Sequence, residues 1–228
     1  MTLKSIIFDH DGVMVDTEPL QSQAWIKILE KYGKTPEIYG NGLVHKVGIT
    51  INENWNILRL KHGITENTNH LEEQRSNVYK DLLSQTRPMV GLMELLSELR
   101  KEKKNKKLKT AIASSSNREY IEMVVNNFGI VDDFDVIVSG KDVASGKPAP
   151  DIYIKAALLL GANPENCVVL EDSRTGVEAA KAARMKVVAI PNQYTDEQDF
   201  TDADLVLSSL KHIDLQLLCS CFQESGFT

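Results

Sequence analysis

The chain has 228 residues, 42% of them hydrophobic and 25% charged, with 32 acidic against 26 basic side chains. That length and apolar content suffice for a substantial core, which excludes disorder as the main theme. The net negative charge repels polyanions, so nucleic acid is not an expected partner, and an anionic substrate would have to be met locally by a metal ion or by placed cations.

In chain order, Leu3 to Phe8 is a short β-branched apolar run that predicts a strand buried on both faces. From Glu18 to Gln85 the pattern changes: Ala24 to Tyr32, Trp55 to Leu60 and Leu71 to Leu83 have helical periodicity, and no buried strand intervenes. This stretch predicts a helical insert, with Trp25 and Trp55 in its core; it leaves after the first strand and returns near Pro88 and Gly91, with hinges expected at Val15 to Glu18 and Thr86 to Met89. Strand and helix then alternate. Strands are predicted at Leu108 to Ala113, Val136 to Val138, Cys167 to Leu170 and Val187 to Ile190, and helices at Leu92 to Leu99, Tyr120 to Phe128, Ile152 to Leu160 and Val177 to Ala183. Such alternation argues for an α/β fold with a parallel sheet covered by helices, whose ligands bind at the carboxyl ends of the strands. The lysine-rich tract Arg100 to Lys109 reads as a solvated helix end and turn. Three cysteines without disulfide or zinc spacing, no signal-peptide core and no apolar run of membrane-spanning length predict a soluble cytoplasmic protein with no membrane partner. No long apolar seam points beyond a monomer.

Four polar clusters follow predicted strands. Asp9-His10-Asp11-Gly12 places two carboxylates, two residues apart on an extended chain, toward one site, with His10 facing away; a polar turn closed by Gly12 is the alternative. Ser114, Ser115, Ser116 and Asn117 offer hydroxyls and free amides for phosphate oxygens, although Ser116 with Glu119 also spells a capping box and is assigned mainly to capping. Gly146-Lys147-Pro148-Ala149-Pro150-Asp151 holds a lysine on a stiff loop, aimed at a phosphoryl group or left at the surface. Glu171-Asp172-Ser173 supplies hard oxygen ligands suited to magnesium, or a helix N-cap at Asp172 or Ser173. No single cluster decides the chemistry, but their convergence on strand ends does.

In this order the four motifs closely resemble the haloacid dehalogenase superfamily, in the subgroup with a helical cap inserted after the first motif. The resemblance runs over nearly the whole chain and includes both sugar-phosphate phosphatases and β-phosphoglucomutases. It implies a Rossmann-like parallel-sheet core at residues 1–17 and 87–228 with an α-helical cap domain at 18–86. It also implies a Mg²⁺-dependent enzyme acting on a small-molecule phosphate ester. Asp9 would be phosphorylated during turnover, and Asp11 would be the general acid/base and offer its carbonyl to the metal. Ser114 and Lys147 would hold the phosphoryl group, with Ser115 and Asn117 beside it, and Asp172 with Glu171 would complete the metal site. Gln21 and Ile51 stand where the mutase pattern has a histidine and an arginine, which favours a phosphatase over a mutase. Gln21 and Arg75, the latter read as an exposed helix arginine, are candidate substrate contacts of the cap. A non-catalytic binding protein is the remote alternative.

Overall fold

The computed structural model describes residues 2–38, 42–46, 49–104 and 108–222. Strand β1 (Ser5–Phe8) leads through three helices, α1 (Glu18–Lys31), α2 (Ile51–His62) and α3 (Thr68–Leu83), to α4 (Leu92–Lys104). There follow β2 (Lys109–Ser114), α5 (Arg118–Phe128), β3 (Val136–Ser139), α6 (Asp151–Leu160), β4 (Cys167–Glu171), α7 (Arg174–Ala182), β5 (Lys186–Ala189), β6 (Leu205–Val206) and α8 (Leu215–Ser220). The chain divides into two compact units, Met1–Val15 with Arg87–Thr228, and Asp16–Thr86.

In the first unit the six strands form one sheet in the order β3-β2-β1-β4-β5-β6, and every pairing is parallel. The α/β fold expected from the alternation, Rossmann-like as the resemblance implies, is therefore present. The period of two sorts each strand's side chains between two cores. Ile6, Phe8, Val168 and Leu170 pack with α4 on one face, while Ile7, Cys167 and Val169 pack with α6 and α7 on the other. Because successive connections run outward from β1 in one direction and from β4 in the other, the order reverses between these two central strands. A crevice opens at their carboxyl ends, the usual ligand position in open α/β sheets.

Two details differ from the sequence reading. The edge strand β6 was not expected, since two residues are too few to show a period. The lysine-rich tract is solvated as expected at Arg100, Lys101 and Lys109, but its cations are also paired: Arg100 makes a bidentate pair with Asp133 at 2.6 Å, Lys103 bonds Thr110 and the Asp133 carbonyl, and Lys109 caps the Leu160 carbonyl at 2.5 Å. These cations tie helix and strand ends together, which a count of charges along the chain does not reveal; residues 105–107 of the tract lie outside the described residues.

The second unit is helical. Trp25, Ile28, Leu29, Val44, Trp55, Leu58 and Leu71 form its core, with the two indoles 4.2 Å apart. Thr50 and Glu53 close a capping box at the start of α2, and Gly63 ends that helix in the left-handed conformation. Buried Ser22 and Asn54 bond the backbone of Val44 and Lys46, pinning residues 42–46 to α1 and α2.

Candidate active site

Asp9 lies one residue beyond β1, and its N–H donates to the Leu170 carbonyl at 2.9 Å, which carries the ladder past the strand. Its side chain is buried, and Oδ1 accepts from Lys147 Nζ at 2.6 Å. Lys147 arrives from the loop after β3, through a cis bond to Pro148, and donates also to Glu171 Oε1 at 2.5 Å. Glu171 ends β4 and is fully buried. Its Oε1 also accepts from the Tyr153 hydroxyl at 3.1 Å, and its Oε2 accepts from Ser173 N at 2.7 Å and Ser173 Oγ at 2.9 Å. Gly176 lets the first turn of α7 close on this carboxylate: a Cβ there would lie 1.6 Å from Glu171 Oε1.

The two capping alternatives at β4 separate. Ser173 is the N-cap of α7, its Oγ accepting from Gly176 N, which leaves the Asp172 carboxylate out of the cap. Asp172 instead accepts from Asn192 Nδ2 at 2.7 Å. Gly12 is required beside it for two reasons: its φ is +79°, and a Cβ would fall 2.0 Å from Asp172 Oδ2.

At the end of β2, Ser114 Oγ donates to Asp11 Oδ2 at 3.1 Å and accepts from Ser116 N at 3.0 Å. Ser116 Oγ donates to the same Asp11 oxygen at 2.7 Å. The expected capping box of Ser116 with Glu119 is therefore corrected: Asn117 is the N-cap residue of α5, with no side-chain cap bond, and the Ser116 hydroxyl is committed to Asp11. Ser115 is exposed beside it. His10 is packed in the interior and its ring nitrogens make no hydrogen bond.

Asp9, Asp11, Ser114, Lys147, Glu171 and Asp172 thus meet at the carboxyl ends of β1, β2 and β4, and the structure adds Ser116, Tyr153 and Asn192. Three buried carboxylates, Asp9, Glu171 and Asp172, face one ammonium. Burial, only partly opposed by Lys147, pushes the Asp9 carboxyl up to about 7, and burial with Glu171 and Asp9 nearby raises Asp172 well above the usual carboxylate range. Burial alone would lower Lys147, but Asp9 and Glu171 outweigh it and raise the ammonium well above its ordinary value.

Such an excess of hard, buried negative charge fits a divalent cation, and Asp9, Glu171 and Asp172 can each bring an oxygen within 4.8 Å of the others. Distances alone admit Glu171 as a ligand. A carboxylate offers about four lone-pair positions, however, and Glu171 already accepts four hydrogen bonds. The residues with capacity for a metal are Asp9 and Asp172.

The candidate contacts in the second unit divide. Gln21 lines a cavity of 140 Å³ together with Trp25, His45, Lys46 and Ile51. Arg75 is corrected: it is fully buried rather than exposed. Its Nε and Nη2 donate to the two oxygens of Glu72 at 2.8 and 2.7 Å, its Nη1 donates to Gln21 Oε1, and the guanidinium lies over the rings of Trp25 and Tyr79. Arg75 is thus engaged inside the unit through each of its nitrogens, and one of them holds Gln21. Among the described residues no helix is long and apolar enough to cross a membrane.

Comparison with known proteins agrees with this geometry. Residues 6–190 match the family model of haloacid dehalogenase-like hydrolases. The chain is 32% identical over 210 residues to the phosphorylated carbohydrates phosphatase of Thermotoga maritima, covering 90% of this chain and 93% of that protein. It is 31% identical over 224 residues to the β-phosphoglucomutase of Bacillus subtilis, covering 95% and 94%. The crystal structure of CbbY from Rhodobacter sphaeroides in complex with phosphate superposes with a TM-score of 0.74 at 25% identity, over 92% of this chain and 96% of that one. A sheet whose central strand ends gather an aspartate pair, a buried lysine and an acidic pocket able to hold a cation, in a chain matched along nearly its whole length by phosphatases, makes this an enzyme that belongs to the haloacid dehalogenase-like hydrolases.

Proposed function

We propose that the chain is a magnesium-dependent phosphatase of a small phosphorylated metabolite, a sugar phosphate, working through an aspartyl phosphate at Asp9. The observation that carries this reading is the Asp9 carboxylate held at 2.6 Å from a buried lysine, within a cluster too acidic to bind a phosphate dianion unaided. Asp9 and Asp172, with the backbone carbonyl of Asp11, would hold the metal. When bound, magnesium supplies the charge that allows two carboxylates and a phosphate dianion to share one site. Lys147 and the hydroxyl of Ser114 bind the phosphoryl oxygens, assisted by the Ser115 and Asn117 amides at the start of α5. Asp9 attacks phosphorus in line and the bond to the leaving oxygen breaks. Asp11, held by Ser116 once the single Ser114 hydroxyl hydrogen turns from it to the phosphoryl group, protonates that oxygen and then takes a proton from the water that hydrolyses the aspartyl phosphate.

The second unit is the proposed cap, with its cavity at Gln21 as the place where the rest of the substrate is recognised. The resemblance to β-phosphoglucomutase supports a second reading, in which a sugar hydroxyl rather than water discharges Asp9. Gln21 and Ile51 weigh against it: an amide does not exchange protons as an imidazole does, and an isoleucine cannot bind a second phosphate. The carbohydrate phosphatase relative supports a sugar phosphate as substrate.

The test is phosphate release from sugar phosphates, nucleotides and an aryl phosphate, with and without Mg²⁺, beside a coupled assay for conversion of β-glucose-1-phosphate to glucose-6-phosphate. Magnesium-dependent release that Asp9→Asn abolishes is expected. Isomerisation without net release would replace the phosphatase reading with the mutase.

A further inference from the structure

Lys147 is a long, flexible side chain among three carboxylates, and what stops its ammonium from settling on whichever is nearest is a question of its surroundings. The ammonium has three hydrogens. Two are directed to Asp9 Oδ1 and Glu171 Oε1, and its nitrogen lies 5.0 Å from the centroid of the Tyr153 ring. Tyr153 is fully buried on the face of α6 that packs against the sheet with Cys167 and Val169, the same face toward which Glu171, at the end of β4, projects. Its hydroxyl donates to the Glu171 oxygen that receives Lys147. The other Glu171 oxygen is held from a different element, by Ser173 at the start of α7.

We propose that Tyr153 is a positioning residue for Lys147, acting in two ways: its hydroxyl locks the Glu171 carboxylate that anchors the ammonium, and its ring face attracts the ammonium directly. The proposal rests on the reading of Lys147 as the cation that binds the transferring phosphoryl group. Asp9 changes charge when it becomes phosphorylated, so it cannot serve as a constant anchor through turnover. Glu171 and the aromatic ring keep their charge distribution throughout, and both stay fixed while the third ammonium hydrogen turns to a phosphoryl oxygen. Without the hydroxyl, Glu171 Oε1 keeps only the lysine as donor, and the side of the carboxylate that anchors the ammonium is no longer fixed from α6. Without the ring, the ammonium loses an attraction that is strongest where water is excluded.

Tyr153→Phe keeps the ring and the packing and removes only the hydroxyl. A hydrogen bond to a charged group is worth a factor of about 10 to 100, and because Tyr153 acts on Lys147 only through Glu171, part of it reaches turnover, as a fall in kcat of about three- to tenfold. KM should change less, because the lysine's position matters most as charge builds on the transferring group. Tyr153→Leu removes the ring as well, and the further fall expected is about tenfold, with weaker inhibition by orthophosphate. Thermal unfolding of each full-length variant reports whether the chain is folded at the assay temperature. A graded loss, tyrosine above phenylalanine above leucine, in folded protein supports the proposal. Unchanged kcat and orthophosphate inhibition in folded Tyr153→Phe overturns it, whether or not the leucine variant folds, and so does a lowered melting temperature with unaltered kinetics. Lys147→Ala in the same assay separates the two ideas: full activity there sinks the reading of Lys147 itself, whereas an inactive Lys147→Ala beside a fully active Tyr153→Phe sinks only the role of Tyr153.

Discussion

The protein buries a cation in each of its two units, and the two are treated in opposite ways. In the helical unit Arg75 meets one carboxylate, Glu72, through a bidentate pair, gives its remaining branch to Gln21 and rests on aromatic rings. Charge is balanced there and each nitrogen of the planar fork has an acceptor. In the sheet unit Lys147 meets Asp9 and Glu171, with Asp172 close by, and burial together with the cluster's excess of negative charge raises the Asp9 and Asp172 carboxyls. A balanced pair is finished as structure. An unbalanced one is unfinished until something positive arrives, which is why perturbed titration marks it as a functional site.

The comparison breaks most sharply at Asp9. Asp9→Asn is expected to lower turnover by at least about 10⁴-fold, the scale of removing a nucleophile, yet to leave the melting temperature of the metal-free protein unchanged or raised, since it removes one of the crowded negative charges. A large loss of stability would show that the acidic cluster holds the fold together after all. Arg75→Met should show the reverse signature. Removing the cation from Glu72, which is partly exposed and keeps its bond from Trp55 Nε1, is expected to cost about 1–3 kcal/mol, measured by denaturant unfolding, and adding Glu72→Gln should recover part of the loss. An Arg75→Met variant as stable as the parent would reopen Arg75 as a ligand contact. Lys147→Ala comes next, with kcat/KM falling by about 10²–10³; a fall confined to KM would assign Lys147 to ground-state binding alone.

How far this contrast can be read along the chain depends on how local its causes are. Asp9, Asp11, Ser114, Lys147, Glu171 and Asp172 are visible in sequence because a parallel sheet forces its ligand residues onto strand ends, and buried strands are legible as apolar runs. Asn192 obeys the same rule, following β5 by a few residues, and a polar residue after Val187 to Ile190 was the available signal; it has no motif around it to draw attention. Ser116 was assigned to capping because a capping box is a local pattern, while its bond to Asp11 joins residues far apart in sequence. The sequence shows Arg75 as exposed for the same reason. A lone arginine in a polar stretch of helix looks solvated until Glu72, Gln21 and two aromatic rings are brought around it from other turns and helices. Tyr153 sits at an ordinary core position of α6, and only its hydroxyl distinguishes it from neighbouring apolar residues.

A third cluster gives the contrast a scale. Asp204 accepts from Lys181 Nζ and Val187 N through Oδ2 and from Lys186 Nζ through Oδ1, at 2.8 to 2.9 Å, so here two cations surround one carboxylate. Burial alone would raise this carboxyl, but the lysine and backbone donors outweigh it and hold it below the usual range. Both lysines are more than a third exposed, so water screens the excess charge and the interaction is worth about 1 kcal/mol or less. A depressed folded-state pKa gives stability that is complete above the unfolded value of about 3.9 and is lost as pH falls through the folded value. Asp204→Asn should therefore be slightly less stable than the parent at neutral pH, and the gap should close in strongly acidic solution as the parent's carboxylate becomes protonated. Thermal unfolding from pH 7 down to about pH 1, below the lowered folded-state value, measures that gap. If it stays constant across the range, Asp204 contributes through the geometry of its hydrogen bonds and not through its charge, and charge imbalance would then matter only where water is excluded, as it is around Lys147.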